Sequence, residues 1–266
     1  MFSMPLLKHN MKVCALPCII IFLVLSMYTS VIIYMYNPQF ADMLNDYQKM
    51  MPKIMSAVGM TGIARTLIEW IQIYLYGFIM LLFPLIFIII AVNKLVMTYI
   101  DKGSMAGLLA TPNSRRKIIT TQLFSMYLWI AILMALISAV GLLSSHVMFP
   151  GELDAKSYLL LNLGTLMLWF AVAGIAFFAA CMFSESKYYY AVGAGIPILF
   201  FLFQMMGNMG EDLEFFKYMT IYTLLPADDI VAGNADALVP CLVLLGISVL
   251  LSGAGCIIFT KRDLSL

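Results

Sequence analysis

Six long apolar runs with almost no charge constrain this chain more than any other feature of its sequence. Each run is about 19–26 residues long, and about 20 helical residues cross the roughly 30 Å hydrocarbon core of a bilayer. Inside lipid every backbone amide needs a partner within the protein, so we expect helices and not isolated strands. The sequence therefore predicts an all-α membrane protein with six transmembrane helices. They form one transmembrane domain over residues 1–266, with spans at about 13–36, 73–96, 118–140, 158–183, 188–206 and 238–259.

The composition agrees with this prediction. Apolar residues make up 63% of the chain and charged residues 11%, whereas an ordinary soluble domain is about 45–50% apolar. A soluble fold of this size could not hide that much apolar surface from water, which excludes soluble enzymes, nucleic-acid-binding proteins and disordered tails.

The charged residues between the runs predict the orientation. If the N-terminus is cytoplasmic, ten of the 15 basic residues and three of the 14 acidic residues lie on the inside. Cytoplasmic loops of membrane proteins carry an excess of Lys and Arg. We therefore expect both termini to be cytoplasmic in a multi-pass protein of the plasma membrane.

The predicted cytoplasmic segment between spans two and three has an apolar stripe. Met105, Leu108, Leu109 and Pro112 share one helical face, and Pro112 disfavours helical geometry at Thr111 and so ends the helix. Either Asn113 or Ser114 can then cap span three. The cations of 115–117 follow at a helix N-terminus, where the helix dipole disfavours them. Anionic lipid head groups, topology or an acidic protein partner would account for them.

Two predicted outer segments are also informative. Apolar residues recur at helical spacing over 40–58, interrupted near Pro52, which predicts an amphipathic helix on the membrane surface or over the bundle. The apolar segment 215–225 is too short to cross the membrane. It is either a re-entrant segment or an interfacial helix.

Catalytic and cofactor motifs are absent from the sequence. No Lys follows a Gly, so the phosphate-binding loop of many ATPases is absent, and the two His residues do not form a helical zinc motif. The segment 251–255 superficially echoes a nucleotide-contacting signature, but it lies within the sixth apolar run and is interpreted as small residues for helix packing. We therefore expect no catalytic, cofactor or metal residue on this chain.

Two stretches of the chain resemble the permease subunits of ABC-2-type (ATP-binding-cassette) transporters. The segment from Asp101 to Arg115 resembles their pattern acidic–x–Gly–Ser/Thr–x–x–x–Leu–Leu–x–Thr–Pro–x–Ser–Arg, and the ending 259–264 is similar to their aromatic, basic, Asp-Leu terminus. The six-span layout extends the resemblance over the whole chain.

This resemblance implies an exporter permease without ATPase activity of its own. It pairs with a second permease copy or paralogue, as a homodimer or heterodimer, and with ABC ATPase subunits that bind ATP and Mg²⁺, in a bacterial cell membrane. The segment 101–111 corresponds to a coupling helix that docks on the ATPase, and the turn 184–187 to a second contact. The implied coupling residues are Asp101, Lys102, Gly103, Ser104, Met105, Leu108, Leu109, Thr111, Pro112, Arg115 and Arg116, with Glu185 and Lys187 at the second contact.

Two other functions compete with this one. The chain could be a membrane sensor or immunity component that binds a peptide or toxin without transport. It could also be a secondary transporter or an intramembrane enzyme, but these need an ionisable residue at membrane depth, and none lies near the centre of a predicted span.

Overall fold

A computed structural model describes residues 3–37, 50–60, 62, 64–101, 103, 105, 114–234 and 236–261. Within these ranges six helices are long and apolar enough to cross a membrane. This confirms the predicted all-α class and the six spans. We call them spans one to six, and their bounds are Met4–Tyr34, Ile79–Asp101, Arg115–Met148, Ala155–Met182, Ser186–Gly207 and Val239–Lys261.

Span two begins and ends later in the chain than its predicted bounds of 73–96. A short helix, Leu67–Ile71, and a π-helical segment, Gln72–Tyr76, precede it. Phe78 then leaves helical geometry, with φ −137° and ψ −55°, before the helix resumes at Ile79. The apolar run is continuous through this break, so hydropathy alone does not reveal it.

The spans alternate in direction and give the bundle two faces. The backbone N–H of Ser3 donates to Thr121 Oγ1 at 3.0 Å, so the start of span one lies beside the start of span three. At the other end the rings of Tyr36 and Phe149 are 5.3 Å apart. We call the face with Ser3 and Lys261 the terminal face, and the other the opposite face.

Span four is the most buried of the six and packs most extensively against span six. A Cβ on Gly174 would lie 3.1 Å from the Cα of Ser248, and a Cβ on Gly255 would lie 3.3 Å from the Cα of Phe178. Small residues at these positions let the two backbones approach closely. Gly255 belongs to the segment 251–255, so this contact agrees with the packing role predicted for it.

Prolines interrupt the hydrogen bonding of spans one and two. A proline has no N–H for the carbonyl four residues before it, so Pro84 leaves Met80 O without its helical partner, and Pro17 does the same to Val13 O. The indole N–H of Trp169, on span four, donates to Met80 O at 3.0 Å. Lys94 Nζ, on span two, donates to Val13 O at 3.5 Å. Side chains of neighbouring spans thus replace both missing donors.

The opposite face carries shorter elements. Of the amphipathic helix predicted over 40–58, the structure describes Pro52–Ala57 as helical, and residues 40–49 lie outside the described ranges. Glu211–Met219 and Tyr222–Leu224 form 3₁₀ turns, followed by the helix Ala227–Val231. The predicted segment 215–225 is therefore no α-helix. It folds against the end of span five, where Thr223 Oγ1 donates to Gln204 Oε1 at 3.0 Å.

The indole of Trp169 provides a test of the side-chain donors. We expect Trp169→Phe to destabilise the fold by about 1 kcal/mol, within the range measured for hydrogen bonds between transmembrane helices, as read from unfolding in mixed micelles. In a Pro84→Ala background the backbone N–H of residue 84 can donate to Met80 O. Trp169→Phe should then lower the free energy of unfolding by less than it does in the wild type.

Trp129→Phe is the matched control, because the buried Trp129 Nε1 has no hydrogen-bond partner among the described residues. An equal cost of Trp169→Phe in both backgrounds would contradict the role of the indole as the substitute donor.

Candidate functional site

The two segments predicted to be cytoplasmic contacts meet at the terminal face. Asp101 is the last residue of span two, and Ser186 is the first residue of span five. The backbone N–H of Ser186 donates to Asp101 Oδ1 at 3.1 Å, and the Ser186 hydroxyl donates to Asp101 Oδ2. We call this contact the Asp101–Ser186 junction.

Local geometry explains why a carboxylate lies here. Span four ends at Met182, Phe183 is extended, and Glu185 precedes the next helix without a capping side chain. The first N–H groups of a helix have no partner within it and carry partial positive charge. Asp101 therefore caps span five from a residue 85 positions earlier in the chain.

A second contact ties the same two spans within the bundle. The hydroxyl of the fully buried Tyr189 donates to Ile89 O on span two at 2.8 Å. The contact is flanked by a π-helical segment in each span, Asn93–Met97 and Tyr190–Ala194. Such segments are rare and often lie at functional sites. Spans two and five are thus held together at the terminal face, next to a local irregularity in each.

The structure describes part of the predicted coupling segment. Gly103 has a positive φ of 65°, so the chain turns sharply after Asp101 in a conformation that favours glycine. Met105 is only 1% exposed and belongs to the hydrophobic core, so its side chain anchors the segment to the bundle. The predicted contacts Lys102, Ser104, Leu108, Leu109, Thr111 and Pro112 lie outside the described residues.

The basic residues of span three begin immediately after this segment. Ser114 is the N-cap and its Oγ accepts from the Lys117 N–H at 3.2 Å, so of the two predicted caps the structure shows Ser114 in that role. Arg115 and Arg116 are the first two helical residues, and Arg116 is exposed. Both lie at the terminal face.

Glu185 and Lys187 flank Ser186 at the surface. Lys187 Nζ lies 2.7 Å from Glu185 Oε2, and both side chains are more than half exposed. The two side chains therefore neutralise each other's charge at the surface. The carboxylate that caps span five is that of Asp101 and not that of Glu185.

Sequence reasoning missed Ser186 and Tyr189. Ser186 is one of two serines in a short turn, and Tyr189 one of three consecutive tyrosines. Neither has a local signal for a partner that is 85 or 100 residues away. Asp101 itself was among the predicted coupling residues, as the first residue of the segment that resembles the ABC-2 permease pattern.

The comparisons with known proteins give one match. A family model described as "ABC-2 family transporter protein" matches residues 11–264, which is nearly the whole chain. No curated protein and no solved structure matches the chain.

Asp101→Ala tests the Asp101–Ser186 junction. Without the carboxylate, the Ser186 N–H loses its acceptor and the first turn of span five loses its tie to span two. We therefore expect faster hydrogen–deuterium exchange over residues 186–189 in lipid nanodiscs, by about fivefold for an interaction near 1 kcal/mol. The matched control is Glu185→Ala, which removes the exposed ion pair and leaves Asp101 in place. Equal exchange in wild type and Asp101→Ala would show that the junction does not hold span five.

Proposed function

The chain belongs to the ABC-2 family of transporter proteins, and we propose that it is the permease subunit of an ATP-driven exporter that takes its energy from a separate ATPase subunit. The family membership and the six apolar helices make it a multi-pass membrane component of a transporter. The coupling to an ATPase, the direction of transport and the bacterial plasma membrane are parts of the proposal.

The Asp101–Ser186 junction is the observation that carries the coupling proposal. A protein that pushes on the segment after Asp101 would act on the end of span two and, through the carboxylate, on the start of span five. The Tyr189–Ile89 contact ties the same spans within the bundle. One docking event would therefore move two spans together.

The distribution of charge supports a cytoplasmic terminal face. Lys8 and Lys12 lie in the first turns of span one, and Arg115 and Arg116 in the first turn of span three. Basic residues near the ends of spans favour the cytoplasmic side. An ATPase in the cytoplasm would then meet the face that carries the predicted coupling residues.

The π-helical segments support movement of the spans. Their backbone departs from regular α-helical bonding beside the Tyr189–Ile89 contact. Span two has a further break at Phe78, toward the opposite face. We propose that spans two and five pivot at these places when the ATPases close, so that the pathway opens toward the opposite face.

The exposed apolar surface supports a second permease copy or paralogue. Spans five and six are among the least buried of the six, and Leu199 and Leu202 on span five are 50% and 45% exposed. In a membrane these faces meet lipid or another subunit. We propose a dimer of permeases with two ATPases, which bind the ATP and Mg²⁺.

Crosslinking tests the docking of the ATPase. In a background without the five native cysteines, Leu109→Cys should form a crosslink with a co-expressed ABC ATPase, because Leu109 lies in the predicted coupling helix. Thr223→Cys, exposed on the opposite face, is the control and should form none. An assembled complex without a crosslink at Leu109 would refute the assignment of the coupling helix.

ATP hydrolysis by the assembled complex tests the transmission. We expect Asp101→Ala to reduce substrate-stimulated hydrolysis severalfold while the ATPase still co-purifies, because span five is released from span two. Asp212→Ala, which removes an exposed carboxylate on the opposite face, should retain most of the stimulation. If the purified chain moved a solute uphill in vesicles that lack any ATPase, the proposal as a whole would be wrong.

A further inference from the structure

A cavity of about 390 Å³ opens on the opposite face, far from the Asp101–Ser186 junction. It lies between the segment before span two, the end of span five and the segment 217–228. This volume is within the range of small-molecule sites. Its wall includes Gln72, Tyr76, Leu81, Lys217, Tyr222 and Asp228.

Apolar and aromatic groups form one part of the wall. Tyr76 is held by its hydroxyl, which donates to Asn162 Oδ1 on span four at 2.7 Å. Leu81 lies beyond the break in span two. Tyr222 is 4% exposed, and its hydroxyl has no hydrogen-bond partner in the part of the chain that the structure describes.

The cavity is shaped by a close approach of two backbones. Gly59 has a φ of 75°, and a Cβ there would lie 2.8 Å from the Cα of Gly77. Gly59 therefore packs against the break in span two, and both glycines line the cavity. Side chains at these positions would push the two segments apart.

The two charged groups of the wall, Lys217 and Asp228, differ in whether a group of opposite charge lies beside them. Lys217 Nζ lies 3.4 Å from the carboxylate of Glu214, which balances its charge. Asp228 Oδ1 accepts from Gln72 Nε2 at 2.8 Å, a neutral donor, and Asp228 Oδ2 has no partner among the described residues. Asp228 is thus an exposed carboxylate at the cavity, and no cationic side chain of the described residues forms an ion pair with it.

The surrounding segment strengthens the negative potential. Residues 211–236 contain six acidic side chains and a single basic one, Lys217. The wall itself carries one charge of each sign, Lys217 and Asp228. Glu214 neutralises Lys217, so the excess charge around the cavity is negative and favours cations. The cavity therefore combines an unbalanced carboxylate with aromatic walls, and aromatic rings themselves attract organic ammonium groups.

We propose that this cavity binds an organic cation, with its ammonium group at Asp228 and its apolar body against Tyr76, Leu81 and Tyr222. A hydrated inorganic ion would leave the apolar wall unused, and a neutral amphiphile would leave the carboxylate unbalanced. The proposal goes beyond the permease role and does not depend on it, since binding is a property of this chain without an ATPase.

Calorimetry on the full chain in lipid nanodiscs tests the site, with 4-phenylbutylamine as the probe and empty nanodiscs as the reference. We expect saturable binding of the amine and at least tenfold weaker binding of 4-phenylbutan-1-ol, which has the same body without the charge. Asp228→Asn, which keeps the size of the side chain, should weaken binding of the amine at least tenfold.

Asp229→Asn is the matched control. It removes the same charge from the adjacent residue, but the Asp229 carboxylate accepts from Asn234 Nδ2 at 2.9 Å and lines a separate cavity. Its affinity for the amine should stay within about twofold of wild type. Equal losses in the two variants, equal binding of amine and alcohol, or no saturable binding of the amine would each overturn the proposal.

Discussion

The need to pair every backbone group inside lipid governs this structure. A regular helix meets that need within itself, but spans one, two and five are not regular. Pro84 leaves Met80 O open and Trp169 fills it, while Pro17 leaves Val13 O open and Lys94 fills it. In addition, Tyr189 and Trp70 donate to the carbonyls of Ile89 and Ile32 near the ends of helical segments. The irregular places in the spans are therefore also the places where neighbouring spans are bonded to each other.

Much of the fold could be predicted from the sequence, because hydropathy and charge are local properties. The six apolar runs located the spans, and Ser114 was one of the two residues predicted to cap span three. The break at Phe78 could not be predicted, because it lies within a continuous apolar run and depends on packing against the segment that ends at Gly59. Of the Asp101–Ser186 junction, Asp101 was predicted as a coupling residue from the family resemblance. Its bond to Ser186 could not be predicted, because the two residues are 85 positions apart. The assignment of 101–111 to a coupling helix stays a prediction, since most of that segment lies outside the described residues.

The two ends of the bundle are built on different principles. At the terminal face both carboxylate oxygens of Asp101 accept hydrogen bonds from Ser186, so that Asp101 caps a helix and connects two spans. At the opposite face the Asp228 carboxylate accepts one hydrogen bond from a neutral amide and forms no ion pair among the described residues. Span two connects the two ends, because Asp101 closes it and Gln72 and Tyr76 precede its first residue. A movement of span two at the Asp101–Ser186 junction would therefore also displace the residues that line the cavity on the opposite face.

The substitute hydrogen bonds also bear on how the chain is made. Val13 O receives its donor from Lys94, so its pairing is complete once the second hydrophobic segment has left the ribosome. Met80 O must wait for Trp169, which is synthesised 89 residues later. A nascent chain that has released its first three segments into the bilayer would carry an open carbonyl in hydrocarbon, which costs free energy. The order of synthesis thus favours retention of the second segment beside the insertion machinery until the fourth arrives, and the first stable intermediate of biogenesis would contain four helices.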